Sequence, residues 1–243
     1  MCFDKETSIT TYIIGTVSSL ALFTSNNTSY KIAGQFFLFV SQMQLIEYLL
    51  WKDTSCNSNN KIISNIGSLL NHLQPIVLYL LLKLNNKSFS NNKSFSNNKS
   101  FSNNKSFSNN KSFYNNKSFY NNKSFSNNKL NIIIGIYIIS LVLYSNNIYP
   151  LDCTTLTDTD PPHLDWNWTH KKHSIKFYLI FLTTLILLSY IGFEKPYNIY
   201  FALICVGTYI ASYIIYKDKN VTGAVWCWFT ALIPLFILLF DSI

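Results

Sequence analysis

Long apolar runs constrain this chain more than any other feature, because runs of about 17 to 23 residues have the length of a helix that crosses a bilayer. Only 12% of the residues are charged, which is about half the fraction usual in soluble domains. We therefore predict an all-α, single-domain, polytopic membrane helical bundle with about seven transmembrane helices. The predicted spans cover residues 8–24, 31–51, 62–84, 130–149, 174–193, 196–216 and 221–240.

A low-complexity tract separates the third and fourth spans. Residues 85–126 are seven tandem NNKSFS or NNKSFY hexapeptides, and three further residues extend the pattern to 129. A polar, Asn-rich repeat cannot build a packed core, so we predict a disordered loop between helices 1–3 (residues 1–84) and helices 4–7 (residues 130–243). An unselected repeat expansion is the favoured interpretation. A cationic membrane-surface tether and a glycosylated loop stay open, since each hexapeptide contains an Asn-Lys-Ser sequon.

Charge and cysteine spacing argue against two classes of function. The net charge of +8 comes from eight lysines in the repeat, and the remaining acidic and basic residues balance. A nucleic-acid partner is therefore not predicted. The five cysteines include no Cys-x-x-Cys pair, so no structural zinc site is predicted. The first residues also lack the features of a cleavable signal peptide.

Small residues and a proline predict how two of the helices pack. Thr11, Gly15 and Ser19 recur every four residues in the first span, a spacing that lets membrane helices approach closely. Pro75 in the third span is expected to free the carbonyl of Asn71 and to kink the helix.

Polar side chains inside the second and third spans mark the candidate site. On a helix, Gln44, Glu47 and Trp51 fall within about 60° of one another. The third span carries a second polar stripe of Asn65, Ser68, His72 and Tyr79. Ionisable groups are costly in hydrocarbon, so Glu47 and His72 are functional candidates. The alternative is that they bond each other or neighbouring helices and only hold the bundle together.

Seven spans would place the N-terminus and the second, fourth and sixth loops on one membrane face, which we call side A. The fourth loop, residues 150–173, and the opening of the seventh span would then meet the mouth between spans 2 and 3. Tryptophans at span ends also suit the interfacial aromatic belt. No catalytic residue or metal ligand is predicted. The predicted ligand-binding residues are Gln44, Glu47, Trp51, His72, His163, Trp166, Trp226 and Cys227.

The orientation of side A depends on which lysines are counted. Outside the repeat, side A holds eight lysines and the opposite face three, so the positive-inside rule favours a cytoplasmic side A. Counting the repeat reverses the balance. If side A is lumenal instead, a disulfide between Cys56 and Cys153 becomes plausible.

Several short motifs, taken together and in order, resemble an uncharacterised family of multi-pass membrane proteins that begin Met-Cys-Phe-Ser. Members occur in bacteria, large DNA viruses and some protists. Asp4 and Tyr48 depart from the family pattern, and the repeat has no counterpart. The resemblance implies the membrane class, and a viral source would imply a host-cell or virion membrane, but it supplies no activity. The matching motifs are Met1-Cys2-Phe3, Gln44-x-x-Glu47-x-x-x-Trp51, His72-x-x-Pro75, Cys153…His163-Leu164-x-Trp166-x-Trp168 and Trp226-Cys227-Trp228.

Three functions follow from these observations. The first is binding or transport of a small molecule, lipid or proton through a polar pocket between helices 2, 3 and 7. The alternative is a structural or interaction protein of a viral or host membrane, which contacts protein partners through its loops. An enzyme that uses Cys2, Cys153, His163 and Cys227 for metal or thiol chemistry is less favoured, because no ligand spacing is evident. The sequence does not identify a cofactor.

Overall fold

The computed structural model describes residues 4–96, 117–149, 151–158, 162–169, 171–216 and 222–241. Within these ranges the chain forms a bundle of seven α-helices, which confirms the predicted all-α helical bundle. Each predicted span corresponds to one helix. The helices are α1 (Lys5–Phe23), α2 (Thr28–Lys52), α3 (Ser58–Ser96), α4 (Lys117–Ile148), α5 (Ser174–Gly192), α6 (Tyr197–Tyr216) and α7 (Thr222–Asp241).

Four helices in the described part of the chain are long and apolar enough to cross a membrane, so this is a membrane protein. In helix α7 the apolar segment is shorter and covers Val225–Phe240. Helices α1 and α2 carry many hydroxyl and amide side chains, which lower their hydropathy. The count of seven spans stays a prediction. The four candidate segments are Ser58–Asn85, Asn128–Ile148, Ser174–Gly192 and Tyr197–Ile215.

Helix α4 shows how the bundle meets lipid. Ile132, Ile136 and Ile139 are exposed, whereas Ile134 and Tyr137 are buried. This alternation follows the helical period, so one face of the helix packs inward and the other is apolar and open. A continuous exposed apolar face is typical of a protein surrounded by hydrocarbon.

Glycines allow α1 to approach its neighbours closely, as the small-residue spacing predicted. A Cβ atom at Gly15 would lie 2.6 Å from the carbonyl oxygen of Ala231 on α7 and 2.8 Å from the Ser41 hydroxyl on α2. A Cβ atom at Gly34 on α2 would lie 2.6 Å from the main chain of α1. These contacts leave no room for a larger side chain at either position.

Helices α3 and α4 extend into the repeat, so the predicted loop boundaries at 85 and 129 are wrong. Helix α3 continues to Ser96 and α4 begins at Lys117. Extending an existing helix adds one hydrogen bond for each residue that is fixed and avoids the cost of nucleation. The hexapeptide contains no proline or glycine to stop it. Residues 97–116 of the predicted loop lie outside the described residues.

The loop between α4 and α5 is folded rather than open. Strands β1 (Thr155–Leu156) and β2 (Leu164–Asp165) pair antiparallel, and a 3₁₀ turn, Asn167–Thr169, follows. We call residues 151–158 and 162–169 the plug. Leu151, Trp166 and Trp168 of the plug are buried, so this segment belongs to the hydrophobic core of the bundle.

A disulfide fixes the plug to the loop between α2 and α3, and a hydrogen-bond network fixes it to the first turns of α3. Cys56 and Cys153 are bonded, with their Cα atoms 5.4 Å apart. The Asn60 side chain donates to the Thr154 carbonyl at 3.0 Å and accepts from the Thr154 amide at 3.0 Å. The Ser64 hydroxyl bonds the Thr154 hydroxyl at 2.8 Å. The two side A loops therefore form one connected unit.

The same α2–α3 loop is ordered by a carboxylate. Asp53 follows α2, and its side chain accepts hydrogen bonds from Ser55 and from Asn57. These bonds favour the ionised form and hold the pKa of Asp53 below its ordinary value. The loop that carries Cys56 is thus stabilised by its own side chains.

Candidate functional site

The inward face of α2 carries the two most deeply buried polar residues of the predicted site. Gln44 and Glu47 are both 0% exposed, and Trp51 is partly buried one helical turn beyond Glu47. Met43 and Leu50 flank them on the same buried face. The shared face follows from the helical spacing that the sequence predicted.

Helices α3 and α7 meet this face of α2, as predicted. The Cys227 sulfur on α7 lies 4.0 Å from the Asn71 side-chain oxygen on α3. The Gln74 side chain and the Glu47 carboxyl are both close enough to this thiol to interact with it. We call Gln44, Glu47, Asn71, Gln74 and Cys227 the polar site.

Several buried polar atoms in and above the polar site lack a protein hydrogen-bond partner among the described residues. They include both amide atoms of Gln44 and the amide nitrogen of Gln74. The indole nitrogens of Trp51, Trp166 and Trp168 share this property. Buried polar groups are nearly always bonded to protein, water or ligand, so such a concentration of donors needs an explanation.

His72 lies beside the polar site and faces a different set of partners. Its Nδ1 atom is 3.3 Å from the Ser68 hydroxyl, and its Nε2 atom is 3.3 Å from the Tyr178 hydroxyl on α5. The Phe177 ring packs edge-on at 5.2 Å. The Tyr144 ring on α4 also lies edge-on to the imidazole, at 6.0 Å. The partners of His72 are therefore on α3, α4 and α5, whereas Glu47 approaches Cys227 on α7.

Helix α3 stays a single helix through Pro75. The Tyr137 hydroxyl on α4 donates to the His72 carbonyl at 2.6 Å. One turn before the proline, the Asn71 side chain donates to the Tyr178 hydroxyl at 3.3 Å. Asn71 therefore links the polar site to the cluster around His72.

Of the predicted polar stripe on α3, only Ser68 and His72 are buried together. Asn65 donates to the Lys61 carbonyl of its own helix. The Tyr79 hydroxyl donates to Asn131 on α4 at 2.6 Å. These two residues, at the ends of the stripe, therefore lie outside the site.

The plug brings two predicted residues, His163 and Trp166, into the protein interior. His163 is buried in the β-hairpin, where its main-chain amide donates to the Thr157 hydroxyl at 2.9 Å. The Trp166 ring stacks on Trp168 with ring centroids 5.1 Å apart. A Cβ atom at Gly67 on α3 would lie 3.4 Å from the Trp168 ring and 2.8 Å from Ile46 on α2. The plug thus covers the α2–α3 seam on side A.

Trp226 faces away from the polar site, and its predicted ligand-binding role stays a prediction. Its indole nitrogen donates to the Thr208 hydroxyl on α6 at 3.0 Å, and its ring packs edge-on against Phe181 at 5.6 Å. Adjacent residues on a helix point about 100° apart. Cys227 therefore faces α3 while Trp226 faces α5 and α6.

Metal and thiol chemistry receive little support from the described residues. They contain no group of three or more His, Cys, Asp or Glu side chains that could hold a metal ion. Cys153 is committed to a disulfide, so it cannot act as the proposed free thiol. Cys2 lies outside the described residues. The chemistry that the polar site offers is hydrogen bonding.

Sequence reasoning missed several residues that shape this region. Asn71 and Gln74 flank the ionisable His72 but were not among the predicted ligand-binding residues. Tyr137 and Tyr144 lie seven residues apart, about two helical turns, within an isoleucine-rich span, and that spacing was an available signal. No signal in the sequence pointed to Tyr178, which lies at the start of α5.

Comparison with protein-family models, with curated proteins and with solved structures finds no match for this chain. The resemblance described from its motifs stays a prediction. The function has to be argued from the site itself.

Proposed function

We propose that this protein is a multi-pass membrane protein that binds or transports a small polar molecule in the polar site between α2, α3 and α7. The observation that carries the proposal is Gln44, which is 0% exposed and whose two amide atoms have no hydrogen-bond partner in the described part of the chain. A buried amide without partners costs about 1–3 kcal/mol. A bound molecule that supplies these bonds removes that cost.

The unsatisfied atoms indicate what such a molecule would present. Most of them are donors, namely the amide nitrogens of Gln44 and Gln74 and the indole nitrogens of Trp166 and Trp168. A matching ligand carries several oxygen acceptors and at least one donor for the Gln44 carbonyl oxygen. Small hydroxyl- or carbonyl-bearing solutes have this chemistry. The smallest ligand that fits the same proposal is a proton carried along bound water molecules.

Access to the site is proposed from side A, through the plug. The plug covers the α2–α3 seam with Trp168 and is attached on one side by the disulfide and on the other by α4. Entry requires at least part of this segment to move, in the manner of loops that close over ligand sites. The strands β1 and β2 are only two residues each, so opening them breaks few main-chain bonds.

We also propose that side A faces an oxidising compartment, contrary to the orientation that the lysine count favoured. The support is the disulfide between the two side A loops, since structural disulfides are rare where the cytosol keeps thiols reduced. A glycosylation acceptor tag at the N-terminus would be modified by microsomes if this is right, and the same tag at the C-terminus would not. The reverse pattern would restore a cytoplasmic side A.

The binding proposal is tested by replacing Gln44 with leucine and measuring thermal stability in membranes of expressing cells. If a ligand bonds the amide, Gln44→Leu lowers the apparent melting temperature. If the site is dry and purely structural, the same change removes an unsatisfied group and raises it. Gln42→Leu is the matched control on the same helix, because the Gln42 amide bonds the Leu38 carbonyl at 3.0 Å and lies off the polar site.

A structural membrane protein is the second candidate function, and His72 favours it. Both ring nitrogens of His72 lie 3.3 Å from hydroxyl groups of the protein, so this residue has the bonding expected of a packing element between helices. Under this alternative the plug and its aromatic residues stabilise the bundle, and the exposed side A loops contact partner proteins. A rise in melting temperature for Gln44→Leu would support it.

A further inference from the structure

A concave feature lies at the opposite end of the bundle from the plug. It is a groove of about 720 Å³ between the first turn of α2, the first three turns of α6 and the second half of α7. This volume is within the range of about 300–1,000 Å³ typical of ligand sites. Its lining includes Tyr30, Tyr197, Phe201, Ile204, Ile233 and Ile237.

The groove opens toward the surface that α6 and α7 present to the bilayer. Leu203 and Phe236 line it and are exposed. Helix α6 is one of the segments long and apolar enough to cross a membrane, and α7 is apolar from Val225 to Phe240. Because most of this lining is apolar and faces the bilayer, hydrocarbon is the occupant that matches it.

The polarity of the groove is graded along its length. Tyr30, Tyr197 and Tyr200 gather at one end, and the Tyr197 hydroxyl accepts a bond of 2.8 Å from Asn27 just before α2. Tyrosines in this arrangement are typical of the membrane–water interface. The rest of the lining is isoleucine, leucine and phenylalanine, apart from Thr208.

Thr208 lies at the closed end of the groove, and its hydroxyl needs no polar ligand because it already has protein partners. Its hydroxyl donates to the Ile204 carbonyl at 2.7 Å and accepts from the Trp226 indole at 3.0 Å. From Tyr197 to Thr208 the helix rises about 16 Å at 1.5 Å per residue. That is about half of the 30 Å hydrocarbon core of a bilayer, which is the depth reached by one acyl chain of one leaflet.

We propose that this groove binds one acyl chain of a membrane phospholipid, with the headgroup beside Tyr30, Tyr197 and Tyr200 and the chain end near Thr208. The lipid site lies in the leaflet away from side A. It is separate from the polar site and does not depend on the proposed function. Because Ile233, Phe236 and Ile237 of α7 line the groove, the bound chain would contact the helix that carries Cys227.

Native mass spectrometry of detergent-purified protein with added palmitoyl-oleoyl phosphatidylcholine or phosphatidylglycerol tests the proposal. Ile204→Trp fills the groove. Ile139→Trp is the matched control, because Ile139 is 64% exposed on α4 and does not line the groove. We expect the wild type and the control to retain one bound lipid after activation in the gas phase. For Ile204→Trp, the abundance of the one-lipid species should be at least five-fold lower with either phospholipid.

Equal retention by all three proteins would mean non-specific annular lipid and would overturn the proposal. Retention of added oleic acid with none of either phospholipid would overturn the assignment to phospholipid. If Ile204→Trp is not monodisperse on size exclusion, Ile204→Phe adds less volume to the same space and is judged by the same criterion. Gln44→Leu should leave lipid retention unchanged, which separates this test from that of the polar site.

Discussion

The hydroxyl of Tyr144 on α4 donates a hydrogen bond of 2.5 Å to the main-chain carbonyl of Trp168 in the plug. The same ring stacks on Phe177 of α5 at a centroid distance of 4.3 Å. Tyr144 therefore joins α4, α5 and the plug at one point. The folded state of the plug depends on the bundle as much as on its own hairpin.

Removing this hydroxyl should loosen the plug. Tyr144→Phe keeps the stacked ring and loses one buried bond, so we expect a destabilisation of about 1 kcal/mol, which corresponds to about 2–4 °C in the apparent melting temperature of a chain this size. Tyr149→Phe is the control, since Tyr149 is exposed. Equal shifts for the two variants would show that the Tyr144–Trp168 bond does not stabilise the fold.

The disulfide should stabilise the protein because it closes a long loop. Cys56 and Cys153 are 97 residues apart, and cross-links of such loops contribute about 2–5 kcal/mol. We expect the Cys56→Ser, Cys153→Ser double variant to melt well below the wild type. A membrane-impermeant reductant should bring the wild type to the same value and leave the double variant unchanged. A reductant effect on the double variant would point to another cause.

Two glycines, Gly34 and Gly135, differ sharply in the space available for a side chain. Gly34→Ala places a methyl group against the α1 main chain, so we expect a loss of about 1–3 kcal/mol. Gly135→Ala, on α4, meets nothing within 4 Å and should be neutral or stabilising by up to about 1 kcal/mol, because alanine favours the helix. Thermal unfolding of the two variants side by side tests the α1–α2 contact.

His72 is expected to act through both of its ring nitrogens. His72→Phe keeps an aromatic ring but loses the contacts with Ser68 and Tyr178, and we expect it to cost about 1–3 kcal/mol. Ser68→Ala removes only the first contact and should cost less. A wild-type melting temperature for His72→Phe would show that these polar contacts carry no stabilisation.

The sequence predicted the helices better than it predicted the partners of their side chains. Helical spacing alone placed Gln44 and Glu47 on one buried face, and the predicted order of spans placed the opening of α7 near α3, where Cys227 contacts Asn71. The spacing could not tell that Cys227 would face Asn71 while Trp226 faces Thr208, because that depends on how each helix is rotated in the bundle. The sequence analysis did not predict that the plug is folded, for a similar reason. Its core residues Trp166 and Trp168 are buried by α2, α3 and α4 rather than by their own strands.

The orientation of side A stays a prediction, for a different physical reason. Lysine counts reflect electrostatic bias during insertion, and the repeat tract alone was enough to reverse that count. A covalent bond between the two side A loops is the stronger indication, but pairing Cys56 with Cys153 requires the folded proximity of residues far apart in sequence.

The most direct test of a ligand in the polar site is native mass spectrometry of the wild type, Gln44→Leu and Gln42→Leu, each extracted gently from the same cells. We expect a small-molecule mass on the wild type and on Gln42→Leu that is reproducible between preparations and absent from Gln44→Leu. A bare polypeptide mass for all three proteins, together with a higher melting temperature for Gln44→Leu, would contradict it and favour the structural alternative.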